Sequence, residues 1–111
     1  MKKYEFDKNG ECLNPDIISS ELQQEDGSRV VTWEIEVAET PNGWVAGMKW
    51  RNKGEFDVWR YPCSQKNDKY PSRRKAVIVA ARKLLKIKYL PDHEGLKKLI
   101  FKEKQLNLFD D

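Results

Sequence analysis

Between Val30 and Arg51 the chain alternates twice in strand period around a tight turn. In "VVTWEIEVAE" (30–39), Val31, Trp33, Ile35 and Val37 point one way, and Thr32, Glu34 and Glu36 point the other. Pro41-Asn42-Gly43 follows as a hairpin turn. "WVAGMKWR" (44–51) then resumes the alternation, with Trp44, Ala46, Met48 and Trp50 on one face and Val45, Lys49 and Arg51 on the other. A period of two leaves no room for a helix here. It demands a sheet with one apolar face, and that face needs a cover. Asn52-Lys53-Gly54 reads as a second turn and "EFDVWRY" (55–61) as a third strand, which completes an antiparallel meander. Trp44, Trp50 and Phe56 read as core, and Trp59 as the cover of an edge.

The flanking segments supply the cover. "NPDIISSELQQEDGS" (14–28) predicts a short helix, with Asn14 as cap, Pro15 in the first turn and Ile17, Ile18 and Leu22 at helical spacing. Ser72 caps a second helix over 73–89, whose apolar face is Val77, Ala80, Ala81, Leu84 and Ile87. Lys75, Arg82, Lys83 and Lys86 lie opposite, interrupted by Val79. Asp92 caps a last helix over 93–104, with a seam of Leu96, Leu99 and Ile100. Upstream, "KYEF" (3–6) suggests a short strand before a turn at Asp7–Gly10. The expected class is α+β, in the order α-β-β-β-α, a three-stranded antiparallel meander covered by helices. Residues 1–104 would form one domain with an extra C-terminal helix, and 105–111 a flexible partner-binding tail. The length of 111 residues suits one modest core.

Charge is distributed unevenly. Residues 1–39 hold 4 basic and 10 acidic side chains, and residues 40–90 hold 13 basic and 3 acidic. From Lys69 to Leu90 there are 8 basic residues and no acidic one. Such a block either seeks an anionic partner, nucleic acid foremost, or is matched inside the protein by the acidic first third.

Residues for catalysis are sparse. His93 is the only histidine and opens a helix, so a surface or capping role is expected. Cys12 and Cys63 match no metal or redox spacing and read as reduced thiols. No phosphate-binding glycine string occurs, and the glycines read as turn residues. Glu34 and Glu36 share a strand face, which reads as solvated. The expectation is a non-enzyme with no cofactor, no metal site and no catalytic residue. No apolar run approaches a membrane span and no secretory leader is legible, so a cytoplasmic monomer without membrane contact is expected.

Two strings resemble known families. "PSRRKAVIVAARKLL" is similar to the second-helix signature of the double-stranded-RNA-binding domain, carried by Ser72, Arg73, Arg74, Ala76, Ala80, Ala81 and Leu85. The resemblance covers residues 14–88 and implies duplex contact by basic side chains at a helix start, where the dipole favours phosphate. The chain departs from the family in three places, one of them Asp68, Lys69, Tyr70 and Pro71 where glycines are usual before the helix. Val77 stands where a third phosphate-contacting Lys is usual, and the turn at Thr40–Gly43 lacks the family's His. A sheet with one helix also resembles integrase-arm and AP2-type DNA-binding domains. That likeness implies a sheet face in the major groove, with Lys49, Arg51 and Arg60 in contact and Trp59 and Tyr61 beside them. The candidate nucleic-acid set is therefore Arg73, Arg74, Lys75, Arg82, Lys86, Lys49 and Arg51.

The second string is "QLNLF". It resembles the peptide by which bacterial replication and repair proteins dock on the sliding clamp, through Gln105, Leu106, Leu108 and Phe109 with Asn107 in the variable place. Two apolar side chains would enter a cleft while the Gln fixes register. The resemblance implies a small adaptor of bacterial, phage or mobile-element origin that docks on the clamp and touches DNA or RNA. The alternatives are a duplex-RNA module without a clamp role and an inhibitor of a host protein.

Overall fold

A computed structural model describes residues 2–20, 22–23, 27 and 29–110, with the backbone alone at 22–23, 29–30 and 106–110. Its class is α+β, as the patterning predicts. The central hairpin joins β4 (Trp33–Thr40) to β5 (Gly43–Trp50) in full register, from Trp33 opposite Trp50 to Thr40 opposite Gly43. Thr40 closes the turn, its hydroxyl donating to the Gly43 carbonyl at 2.8 Å. Gly43 has φ +133°, and a Cβ there would stand 2.8 Å from the Tyr70 carbonyl oxygen, so the position requires glycine.

The expected first helix is a strand. Asp16–Ser19 forms β1, antiparallel to β4, and two short strands, β2 (Leu22–Gln23) and β3 (Arg29–Val30), pair beyond it. Asn14 does not cap. Its side-chain oxygen accepts from the Glu5 backbone N–H at 2.7 Å and its amide donates to the Lys3 carbonyl at 2.9 Å, which fixes the N-terminal segment. Adjacent β-branched Ile17 and Ile18 suit an edge strand, and Pro15 just before it costs no ladder bond. Ser20 secures the junction: its hydroxyl bonds Thr32 Oγ1 at 2.7 Å and accepts from the backbone N–H groups of Thr32 and Trp33.

The third strand is shorter than expected. Only β6 (Trp59–Tyr61) pairs with β5, and the sheet order is β1-β4-β5-β6. The Asn52-Lys53-Gly54 turn forms, with Gly54 at φ +82° and the Glu55 N–H bonded to the Asn52 carbonyl. The Lys53 N–H then donates to the Tyr89 carbonyl at 2.9 Å, drawing the 51–58 loop away from the sheet. Phe56, expected in the core, is 97% exposed.

The helices pack on one sheet face. Ser72 caps α1 (Arg73–Leu85), its hydroxyl accepting from the Lys75 N–H at 3.1 Å. Ala76, Val77, Ala80, Ala81 and Leu84 lie against Trp33, Ile35, Val37 and Met48, joined by Leu90 and Leu96. The alanines bring the α1 backbone close to the sheet, and filling this layer supplies the main stabilising term. Trp44 and Trp50 pack on its margin. Asp92 caps the second helix, α2 (His93–Asp110), accepting from the Gly95 N–H at 3.0 Å. The helical backbone continues through the segment expected to be a separate tail.

The opposite face is covered too. The Asp7–Gly10 turn forms as expected, with Asp7 accepting from the Asn9 and Glu11 N–H groups. It returns the chain to lie beside the 62–67 loop, which crosses β5 at Gly47. A Cβ at Gly47 would come within 2.6 Å of the Tyr61 carbonyl oxygen and overlap the Cys63 nitrogen. Gly47 is thus a crossing residue in mid-strand, not the turn residue its type suggests. A second core of Cys12, Ala38, Val45 and Cys63 forms beneath, bordered by Tyr4 and Phe6.

Candidate functional site

Tertiary placement sorts the basic block. Two of its members, Arg73 and Arg74, have carboxylate partners, as do Lys49 and Arg60 of the sheet. Arg73 Nε lies 3.3 Å from Asp16 Oδ2, and Asp16 also takes Lys2 Nζ at 2.9 Å and the Tyr4 hydroxyl at 2.7 Å. Burial pushes the Asp16 carboxyl up, but these three donors outweigh it and hold it below the usual carboxylate value. Tyr4 is pushed up to about 12 by burial and by the same carboxylate. Arg74 Nε stands 3.9 Å from the buried Glu103 of α2. Lys49 faces Glu34 across the β4–β5 ladder at 3.9 Å, and Arg60 pairs with Glu11, whose hydrogen bond raises the guanidinium further. The acidic first third therefore does neutralise part of the block.

The remaining members of the predicted set stand apart. Lys75, Arg82 and Lys86 are exposed on the outer arc of α1 with no ion-pair partner among the described residues. Arg51 is half-buried at the end of β5. It lines a groove of about 350 Å³ with Val31, Thr32, Glu34, Lys49 and Val58 over the Trp33–Trp50 pair. The structure thus does not gather the seven predicted residues into one surface. Arg73 and Arg74 hold the start of α1 to β1 and α2, while Lys75, Arg82 and Lys86 project from its far side.

Sequence reasoning missed three features. Glu36, expected on a solvated face, is 5% exposed under the N-terminal segment and the 62–67 loop, and this burial raises its carboxyl. Cys12 and Cys63, isolated in sequence, sit in one core with the Cys12 N–H donating to the Cys63 carbonyl at 2.8 Å. Both are free thiols, and burial pushes the Cys63 thiol up to about 12. The third feature is the exposed row Val58, Trp59 and Tyr61 at the sheet edge. The 55–58 loop that frees it is set by a contact to Tyr89, which no local pattern encodes.

His93 is half-buried at the start of α2, with Nε2 2.9 Å from the Ile87 carbonyl oxygen. No group of three His, Cys, Asp or Glu side chains among the described residues is placed to hold a metal ion. No helix among them is long and apolar enough to cross a membrane. Of the "QLNLF" string, Gln105 is an exposed residue of α2, and the side chains of Leu106, Leu108 and Phe109 lie outside the described residues. Comparison with family models, with curated proteins and with solved structures returns no match.

Proposed function

We propose that this protein is a small, cytoplasmic, non-enzymatic adaptor that docks on the replication sliding clamp through Gln105, Leu106, Leu108 and Phe109, and turns a basic side toward nucleic acid. The observation that carries the reading is the Gln105–Phe109 string itself. Its polar anchor, Gln105, is exposed, and the α2 residues packed on the core, Leu96, Leu99 and Ile100, precede it. A ring that encircles DNA raises the local concentration of a tethered cation cluster, so a modest basic surface suffices for contact. Lys75, Arg82, Lys83 and Lys86, exposed along α1 and its cap with no ion-pair partner among the described residues, support that half of the reading. The duplex-RNA reading draws less support, because Arg73 and Arg74 have carboxylate partners.

Titrating the full chain into purified clamp tests the docking. Gln105→Ala with Phe109→Ala is expected to abolish the binding signal while the thermal melt stays in place. Absence of binding by the full chain, or binding indifferent to both substitutions, overturns it. Adding the protein to a clamp-dependent replication reaction then separates an adaptor from an inhibitor.

A further inference from the structure

We propose that the strip between β6 and the exposed arc of α1 binds single-stranded nucleic acid, stacking bases on Trp59 and Tyr61 and meeting phosphates with Lys83 and Lys86. This deepens the nucleic-acid half of the proposed function and rests on it. It is independent of clamp docking.

Trp59 and Tyr61 are two apart on β6, so both project from the face that carries α1. They remain 53% and 44% exposed because α1 covers Met48 and Trp33 but does not reach the outer strand. Strand rise separates them by roughly 6.6 Å, close to the span of one nucleotide in an unstacked strand. Trp59 is pre-positioned, its Nε1–H donating to Glu55 Oε2 at 3.1 Å, so little ordering cost remains on binding.

A cation stands at one of these rings. Lys83 Nζ stands 5.8 Å from the Tyr61 ring centroid, and Lys86 is the exposed residue that caps the end of α1, three positions on. Lys83 and Lys86 have no carboxylate partner among the described residues. The Lys53–Tyr89 backbone bond joins the 51–58 loop to the segment after α1, where Lys88 Nζ stands 5.4 Å from the exposed Tyr89 ring. Exposed aromatic rings beside unpaired cations are what a stacked, anionic single strand requires. A duplex keeps its bases in its own stack and offers nothing to a ring on a strand edge.

The test is fluorescence anisotropy of the full chain with labelled oligothymidine, with a duplex of the same length and with polyglutamate as competitors. Oligothymidine is expected to bind more tightly than duplex. Trp59→Ala should weaken it roughly five- to hundredfold, the scale of one lost stacking contact. Lys83→Ala with Lys86→Ala should lower the salt slope by about 1.4. Lys97→Ala on α2 should leave affinity unchanged, and melts confirm that all variants fold. Preference for duplex, displacement by polyglutamate or indifference to Trp59→Ala overturns the strip alone. Absence of binding to every nucleic acid overturns both the strip and the nucleic-acid half of the adaptor reading.

Discussion

The cations of α1 come from one block without acidic residues and meet two fates. At the start, Arg73 and Arg74 are half-buried and held by Asp16 of β1 and Glu103 of α2. Lys75 in the first turn and, toward the end, Arg82, Lys83 and Lys86 are exposed and free of carboxylates among the described residues. The helix dipole explains part of the division. Cations oppose the dipole at a helix start and complement it at a helix end, and the first turn of α1 holds no acidic residue. Asp16 brings from another strand the negative charge that the first turn lacks. Residue type follows the same division. Arginine, with its fixed fork, occupies the paired positions, while lysine, a flexible point charge, supplies most of the free ones. Charge counted along a sequence is therefore not charge available to a partner, because tertiary contacts withdraw some of it.

Substitutions can break or sharpen this contrast. Leu84, in the last turn of α1, is fully buried in the core beneath the helix. Leu84→Ala should cost about 2–5 kcal/mol in denaturant unfolding, removing the contrast by loosening the whole helix. Arg74→Ala strands the buried Glu103 carboxylate and should cost about 1–3 kcal/mol by the same measurement, with no change in the salt slope of oligonucleotide binding. Asp16→Asn should cost less, under about 1 kcal/mol, since its pairs are partly exposed. Its effect has a pH signature. The folded carboxyl sits below its ordinary 3.8, so its stabilisation is complete above that value and lost as pH falls through the folded one. Melts of wild type and Asp16→Asn should therefore differ at pH 7 and converge in strong acid. Lys86→Ala should shift stability by no more than about 0.5 kcal/mol, and its effect should fall on binding alone.

How much of this was legible in the sequence depended on the range of the forces involved. The β4–β5 hairpin, the Ser72 and Asp92 caps and the apolar side of α1 follow from patterns within a few residues, and all appear where expected. β1 did not, because Ile17, Ile18 and Leu22 fit helical spacing. The choice was made by pairing with β4 and by Asn14, which binds the N-terminal segment instead of a helix start. Phe56 was misplaced because a bond from Lys53 to Tyr89, far along the chain, pulls its loop off the sheet. Gly47 and Glu36 share a cause: a distant loop crosses the sheet above them. For the candidate site, sequence counted the cations correctly. It could not tell Arg73 and Arg74 from Lys83 and Lys86, since the deciding carboxylates lie in other elements.

The division of the α1 cations into held arginines and free lysines is tested most directly by the salt dependence of oligothymidine binding in two double variants. Lys83→Ala with Lys86→Ala should fold like wild type and bind with a slope lower by about 1.4. Arg73→Ala with Arg74→Ala should melt earlier and keep the wild-type slope. A slope that falls with the arginines and survives loss of the lysines would contradict the account.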